Sequence, residues 1–530
     1  MRIVDAKNGR VVLTVLAVSL ALAGCVSNAV RSYDKELSDT IAQVRSGDVV
    51  GALGVLEKNN PAEKGKDGEE ARRDILYYFE KGELLKLDND IEQSRAAWLQ
   101  ADEIVREWED AVKTDPSKLM GNIASVVVND KMRRYDGQDY EKVFLNASLA
   151  LDQVLLDDVT GARIELKKTV ERETTIKDFR DKEYAKIEEQ GREQSAPIFS
   201  LKDLAGRGYP ADELEDKEVL ALKNGYQNAF AHYLAGYFFE VKGEPSMSAP
   251  GYRNALDLAP DSRLVQEKID KRTGKAKPYA KPGPGQADVL FVVESGFAPA
   301  WQSVQIDLPV PVNKKLVVLT MAFPRVVARS QTYVPSHLTV SGKRLPVETL
   351  VNVDALARRQ LKDQLPGIIG RAVVRGVIKG AAQYAAQEKA GKLGGLAMGA
   401  LAVATEQADT RAWRTLPARV SIARAILPVG EQTVEINSEY GTYVGTINVD
   451  SKMSIVPIRL VNGYAYIGQK EVQGNFSAAQ LPAEEDPAEV FKPNVAPLVL
   501  PATEDEGEAK EDKPAGSLLP KLPKLPKKLF

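Results

Sequence analysis

The sequence predicts an α+β chain of more than one domain, in which a helical half precedes an antiparallel β-rich half with an inserted helical hairpin. Over residues 32–273 apolar residues recur with the helical period, whereas beyond this range they alternate with a period of two. Lysine, proline and glycine dominate the stretch 275–286 between the two halves. A chain of 530 residues is expected to divide, here into domains at 25–274 and 287–475 joined by that linker.

The first 24 residues are predicted to form a signal peptide. Positive charges at Arg2, Lys7 and Arg10 precede a run from Val11 to Gly24 that is apolar or small apart from two hydroxyl residues. This run is shorter than the ~20 apolar residues that a membrane-spanning helix needs. We therefore interpret the segment as a targeting signal and not as a membrane anchor.

The signal ends in Leu22, Ala23, Gly24 and Cys25, a motif that resembles the lipobox of bacterial lipoproteins. In such proteins the cysteine thiol is acylated and the chain is cleaved just before it. Two or three acyl chains hold a protein durably on a bilayer, at about 0.8 kcal/mol per buried methylene. Because Val26 is not aspartate, the resemblance also implies transfer to the outer membrane. The expected location is the cell envelope, with the protein facing the periplasm.

Two stretches of the helical half share the spacing of an internal repeat. In each, a glycine is followed sixteen residues later by an aromatic residue and nineteen residues later by an alanine. The residues are Gly82, Trp98 and Ala101 in the first stretch and Gly236, Tyr252 and Ala255 in the second, which ends at Pro260. A small residue lets two antiparallel helices approach, and the aromatic ring fills the space beside it.

These residues resemble the tetratricopeptide repeat, in which glycine, aromatic residue, alanine and a final proline hold the same relative places. Tyr140–Arg172 and Thr40–Glu57 are interpreted as further, degenerate helix pairs. The resemblance implies a solenoid that binds partner proteins in a concave groove. The repeat residues themselves are expected to hold helices together and not to touch a ligand.

In the β-rich half, eight short runs predict the strands of an antiparallel sandwich or open barrel. The runs are Asp288–Glu294, Val304–Leu308, Lys315–Phe323, His337–Val340, Arg419–Ala425, Thr433–Ile436, Tyr443–Val449 and Ile455–Leu460. Prolines and glycines punctuate them, as expected between short strands.

An alanine- and glycine-rich insertion at 353–408 interrupts these runs and is predicted to be a helical hairpin, with its second helix at Gly391–Gln407. Arg371, Arg375 and Lys379 fall four residues apart and form a basic stripe on the first helix. Two interpretations remain open. Either the hairpin packs on the β-rich half, or the stripe contacts anionic membrane or a partner.

Immediately after the insertion come Asp409, Arg411, Trp413, Leu416 and Pro417. These residues resemble the signature of an uncharacterised family of Gram-negative outer-membrane lipoproteins with a tetratricopeptide-like helical half and a β-rich half. The resemblance implies architecture and location but no activity. Asp409 and Arg411 are expected to form a charge-assisted hydrogen bond, and Trp413 is expected to pack as an anchor.

The C-terminal residues 476–530 have the composition of a disordered tail. Near their end Pro520, Pro523 and Pro526 recur every third residue, the period of a polyproline II helix. This tail is interpreted as a solvated segment or a recognition peptide.

The sequence lacks the residue patterns of common enzymes. His232 and His337 are the only histidines and are not spaced as a metal-binding pair, and Cys25 is the only cysteine. Neither a serine nucleophile elbow nor a phosphate-binding loop occurs. We therefore expect no catalysis, no cofactor and no metal. The near balance of 71 basic and 74 acidic side chains argues against a nucleic-acid partner.

Two functions are compatible with these patterns. The first is a lipid-anchored periplasmic scaffold or adaptor that binds envelope proteins, for example in cell-wall synthesis or in an envelope machine. The alternative is a membrane-surface or glycan-binding module that acts through the basic stripe of Arg371, Arg375 and Lys379.

Overall fold

The computed structural model describes most of the chain between residues 33 and 475. The described ranges are 33–62, 72–115, 134–193, 199–270, 272–312, 315–327, 332–404, 406–438, 441–450, 454–468, 470–472 and 474–475. The predicted signal peptide with its lipobox Leu22–Cys25 lies outside the described residues, and so does the predicted tail 476–530.

The N-terminal half of the described chain is helical, and eight of its helices form four consecutive pairs. These are α1 (Tyr33–Arg45) with α2 (Val49–Asn59), α3 (Ile75–Leu87) with α4 (Ile91–Thr114), α5 (Asp139–Leu155) with α6 (Val159–Glu193), and α9 (Ala229–Val241) with α10 (Pro245–Leu258). Three short helices complete this half, α7 (Leu201–Ala205), α8 (Lys217–Ala221) and α11 (Arg263–Gln266).

All four pairs share the same turn between their helices. Each connection has three residues, and the middle one adopts a left-handed backbone. These middle residues are Gly47 (φ 82°), Asn89 (φ 65°), Asp157 (φ 57°) and Gly243 (φ 75°). Glycine, asparagine and aspartate are the residue types that most readily adopt this conformation. The four described helix pairs therefore share one type of turn.

The small and bulky residues of the predicted repeat also recur in the two degenerate pairs. Thr40 and Leu56 in α1 and α2 have the sixteen-residue spacing of Gly82 and Trp98, and so do Ala150 and Leu166 in α5 and α6. All four of these side chains are buried. The interpretation of Thr40–Glu57 and Tyr140–Arg172 as helix pairs is thus confirmed.

The C-terminal half contains thirteen described strands, and each of the eight predicted runs lies within one of them. The strands are β1 (Gln286–Ser295), β2 (Ala300–Val312), β3 (Lys315–Val327), β4 (His337–Val340), β5 (Lys343–Pro346), β6 (Glu348–Asn352), β7 (Arg419–Pro428), β8 (Gly430–Ser438), β9 (Gly441–Val449), β10 (Ser454–Val461), β11 (Tyr464–Ile467), β12 (Lys470–Val472) and β13 (Gly474–Asn475).

The strands form a six-stranded sheet in the order β12-β11-β10-β1-β7-β6, a five-stranded sheet in the order β13-β9-β8-β4-β5, and the pair β2-β3. None of these sheets closes into a barrel over the described strands. Most pairs are antiparallel, as predicted, but β1 lies parallel to β10, with Val289 opposite Ser454. Alternation of apolar residues along a strand does not reveal the direction of its neighbour, so the sequence could not show this pairing.

The described helices and sheets share their largest hydrophobic core. It contains Phe79 and Tyr237 from the helix pairs, Leu290 from β1, Leu361 from the insertion and Trp413 from the signature. A second core lies where the six-stranded and five-stranded sheets both contribute side chains. The stretch 275–286 holds no helix, and β1 begins at its last residue. The two halves on either side of it belong to one compact unit.

The insertion is helical, as predicted, and forms helix α12 (Val353–Ala404). A straight helix would place Ala404 about 43 Å from Arg375, at a rise of 1.5 Å per residue. Glu406 nevertheless contacts Arg375 at 2.9 Å. The helical segment therefore reverses direction between these two residues, as a hairpin requires. Helical backbone nevertheless continues through Gly391, where a separate second helix is predicted to begin.

Candidate functional site between helices α6 and α12

The signature segment is buried against the helix pairs. Trp413 is fully buried, and its ring stacks on Phe79 with a centroid distance of 4.5 Å and an interplanar angle of 9°. The ring also meets Trp98 edge to face at 5.9 Å. Trp413 therefore packs as the predicted anchor. One of its two aromatic neighbours, Trp98, is also the residue that faces Gly82 in the repeat.

Two buried glutamates from the helix pairs bind the backbone of this segment. Glu80 on α3 accepts the N–H groups of Arg414 at 2.7 Å and Thr415 at 3.0 Å. Glu141 on α5 accepts the N–H of Trp413 at 2.6 Å. Buried backbone donors need partners, and an extended segment cannot supply them itself. We call this arrangement of Glu80, Glu141 and the segment 413–415 the signature cradle.

Burial raises the pKa of Glu141 to about 7, although hydrogen bonds from the Trp413 N–H and the Tyr135 hydroxyl act in the opposite direction. The carboxyl is held in an apolar environment that disfavours its charged form. The Glu141 carboxyl therefore gains or loses its proton when the pH changes near neutrality.

The other signature residues have structural contacts too. Arg411 and Asp409 form the predicted ion pair, at 2.7 Å. Leu416 is buried, and its carbonyl accepts the N–H of Ala298 at 2.6 Å. Pro417 follows, two residues before β7 begins at Arg419. The signature thus connects the insertion to the sheet and fastens this connection to the helix pairs.

The glycines of the two clearest repeats lie directly against their aromatic residues. A Cβ atom on Gly82 would be 2.2 Å from the Trp98 ring, and one on Gly236 would be 2.6 Å from the Tyr252 ring. Ala101 and Ala255 are fully buried. Pro260 is exposed and lies two residues beyond the end of α10 at Leu258.

The predicted basic stripe is paired with carboxylates of the chain itself and does not form a solvent-facing surface. Arg371 pairs with Glu183 on α6 at 3.1 Å, and Arg375 pairs with Glu406 at 2.9 Å. Lys379 bonds the same Glu406 carboxylate. Only 14%, 2% and 13% of the three cationic side chains is exposed, in chain order. Glu183 is distant in the sequence and Glu406 lies at the far end of the insertion, so the pattern of the first helix alone could not reveal these partners.

An open cleft lies between α6 and the N-terminal part of α12, and it consists of two adjoining chambers. The first, of about 140 Å³, is lined by four aromatic residues: Trp108, Tyr135, Phe179 and Trp301. The second, of about 220 Å³, is lined by Tyr184, Ile187, Gly225, Tyr226 and Gly367 among others. Arg371 of the predicted stripe lines both chambers, and Asp409 of the signature lines the first.

An ion-pair network lies between the two chambers. Each of its residues either lines both chambers or bonds to a residue that does. Arg180 bonds Asp139 at 2.6 and 2.9 Å and Glu183 at 2.6 Å. Arg371 bonds Glu183, and Gln364 donates to Asp139 at 3.0 Å. Burial of the Asp139 carboxyl acts to raise its pKa, but the positive charge of Arg180 acts in the opposite direction. The result is a pKa of about 2. The Asp139 carboxyl in this partition is therefore charged at neutral pH.

The described residues that line the cleft include no histidine. His232 is buried in α9 and bonds Glu173 at 3.0 Å, which agrees with a packing role. Across the described ranges, His, Cys, Asp and Glu side chains do not gather in a group of three or more that could hold a metal ion. Among the described helices, none combines the length and apolar character that crossing a membrane would require.

Sequence reasoning missed the cradle glutamates and the acidic side of the cleft. A signal for Glu80 exists, because α3 is apolar on nearly all faces and a carboxylate within such a helix needs a buried partner. The long helix α6 is charged throughout, so nothing in its sequence distinguishes Arg180 or Glu183 from solvated residues.

Comparison of the chain with protein-family models, with curated proteins and with solved structures gives no match.

Proposed function

We propose that this chain is a lipid-anchored periplasmic scaffold, or adaptor, and that it binds a partner protein of the cell envelope in the cleft between α6 and α12. The cleft is the observation that carries the proposal. Six aromatic rings and several arginine side chains line its two chambers, and these residue types are enriched where proteins bind one another. No catalytic role is proposed.

The fold supports a scaffold in two ways. The repeated turn at Gly47, Asn89, Asp157 and Gly243 is what a tetratricopeptide-like array would have, and such arrays hold partners. The two larger sheets contribute to one common core, as the layers of a β-sandwich would. The lipobox resemblance at Leu22–Cys25 supplies the proposed anchor to the outer membrane.

The cleft is a better partner site than the helical surface around the signature cradle. That surface is already occupied, because Glu80, Glu141, Phe79 and Trp98 all contact the chain's own residues 413–415. A partner would have to displace a buried tryptophan there, whereas the chambers of the cleft are open.

The alternative, a membrane-surface module that acts through Arg371, Arg375 and Lys379, has less support. A cation attracts anionic lipid only if it remains near the surface and is not neutralised, and these three are held in ion pairs with little exposure. We therefore restrict membrane attachment to the proposed lipid on Cys25.

Site-specific photocrosslinking in intact cells tests the partner site. Benzoylphenylalanine replaces Tyr184, whose side chain is 47% exposed at the cleft, and in a matched variant replaces Val444, which is 49% exposed on β9. We expect an adduct with one envelope protein from position 184 only, and reciprocal capture through that protein should recover this chain. The same adducts from both positions, or none from 184, would overturn the proposal.

Fractionation of the Cys25→Ser variant tests the anchor. Because the thiol is the proposed acylation site, we expect the processed, membrane-held form to disappear. A normally cleaved and membrane-bound Cys25→Ser protein would show that the attachment has another cause.

A further inference from the structure

We infer that the second chamber of the cleft receives an apolar side chain of the partner, with a lysine or arginine of the same peptide beside it at the mouth. This inference rests on the proposed function, because it names the chemistry of the partner segment. It is drawn from the volume of the chamber, from its walls and from the charges at its opening.

The chamber has the size and lining of a side-chain pocket. Its volume of about 220 Å³ is below the ~300–1,000 Å³ of pockets for whole small molecules. Ile187, Gly225 and Gly367 are buried in its wall, and the two glycines present only backbone to it. A Cβ atom on Gly367 would lie 3.2 Å from Ile187, so this glycine keeps the chamber open.

The mouth of the chamber is acidic. Asp181 and Asp363 are exposed there, and they line the chamber together with Asp139 and Glu183. The two arginines in the lining, Arg180 and Arg371, are held by Asp139 and Glu183 in the partition. Asp363 pairs with Arg359 at 2.9 Å, whereas Asp181 makes no ion pair with any described residue. Among the described residues, an exposed carboxylate without an ion-pair partner therefore stands at the opening.

The hydroxyl of Tyr226, which also lines the chamber, lies within the negative potential of these carboxylates. Burial raises the pKa of its hydroxyl to about 12, and the carboxylates Glu173, Asp139, Asp181 and Asp363 add to this rise. A negative potential favours a cation on the incoming peptide.

The position of the carboxylates decides where that cation sits. Burying a lone ammonium or guanidinium group is costly, so a basic side chain keeps its charged end near water. The exposed Asp181 can accept such a group at the rim without desolvating it. The apolar interior then remains for a neighbouring leucine-like side chain, which gains by leaving water.

Peptide binding to the detergent-solubilised full chain tests this inference by fluorescence anisotropy. The probe is a fluorescein-labelled octapeptide of glycine and serine with a central leucine-lysine pair. Two analogues replace the lysine by glutamate or the leucine by alanine. We expect the leucine-lysine peptide to bind most tightly, and its affinity to fall at high salt because the charge pair is partly exposed.

Variants locate the binding. Asp181→Asn should weaken the leucine-lysine peptide about two- to five-fold, the range for one exposed charge pair. The matched control is Asp178→Asn, an exposed aspartate one turn away on α6 that does not line the chamber, and it should leave binding unchanged. Gly367→Val should narrow the chamber and remove the preference for leucine over alanine.

Equal binding of the lysine and glutamate peptides would overturn the inference, as would an Asp181→Asn variant that binds like wild type. If the crosslink from position 184 forms in cells but the peptides show no such preference, the inference fails and the proposed function stands. If the peptides bind as expected but no crosslink forms, the chamber binds basic peptides and the proposed function fails.

Discussion

The signature cradle and the cleft both place carboxylates among aromatic rings, but they use them in opposite ways. In the cradle, Glu80 and Glu141 are buried and accept backbone N–H groups of the chain's own segment. In the cleft, Asp181 is exposed and unpaired among the described residues, beside open volume. The difference separates structural carboxylates from those available to another molecule. The signature residues are the most distinctive motif of the sequence, but their segment is already bound by the chain itself.

Among the variants that test this comparison, Trp413→Ala is expected to have the largest effect on stability. Removal of a fully buried tryptophan should lower the free energy of unfolding by about 3–5 kcal/mol. Tyr184→Ala, at the cleft, should cost less than about 1 kcal/mol because nearly half of that side chain is exposed. Denaturant unfolding of both variants measures the difference, and similar losses would show that the cleft is as structural as the cradle.

The dependence of stability on pH is expected to come from Glu141 in the signature cradle. The folded pKa of Glu141, about 7, lies above its ordinary value of 4.5, so its stabilisation is complete below pH 4.5 and is lost as the pH rises through 7. At about 1.4 kcal/mol per pKa unit, the loss is about 3 kcal/mol. Asp152, raised by burial to about 8, acts in the same direction.

Thermal unfolding between pH 5 and 8 measures this slope, in a window above the range where Asp139 titrates. The midpoint should fall as the pH rises, and Glu141→Gln should flatten the fall while lowering stability throughout, because its amide cannot accept at both positions. A slope that is unchanged in the variant would assign the titration to other groups.

The packing of the helix pairs can be tested with two glycines in helix interiors. Gly236→Ala should destabilise by about 1–3 kcal/mol, because the new methyl group overlaps the Tyr252 ring. That ring cannot easily move, since its hydroxyl bonds Glu240 at 2.7 Å and Arg424 at 2.8 Å. Gly54→Ala, with nothing within 4 Å, should instead stabilise by up to about 1 kcal/mol through helix propensity. Two variants of the same sign would remove the packing argument.

The smallest effect on stability is expected from Asp181→Asn. An exposed carboxylate without an ion pair should change the free energy of unfolding by less than about 0.5 kcal/mol in either direction. Chemical denaturation of this variant sharpens the comparison with the cradle. A loss as large as that of Glu141→Gln would mean that Asp181 has a structural role.

Local patterns predicted the elements of this fold well but not their partners. The eight predicted runs are strands, whereas β5, β6 and β11 to β13 were not predicted. These strands have only two to five residues, which show little alternation, although β4 was predicted from four. The turns of the helix pairs escaped notice because three residue types, glycine, asparagine and aspartate, fill the same left-handed position.

The candidate site depended on contacts that no local pattern contains. Arg371, Arg375 and Lys379 form a stripe in sequence, but Glu183 and Glu406 neutralise them from other segments. The chambers of the cleft likewise combine residues from α4, α6, α12 and the strand β2. Signals of this kind require tertiary structure.

The parallel pairing of β1 with β10 constrains how the chain can fold. Strand β1 lies inside its sheet, and both of its neighbours, β7 and β10, follow only after the long helix α12. Until residues up to Val461 are available, β1 has an unpaired edge of buried, apolar sequence, which is prone to associate with other chains. Formation of the sheet is therefore expected to be late and slow, as for other topologies dominated by distant contacts. A chaperone that shields residues 286–295 until β10 has formed would therefore protect this unpaired edge from association.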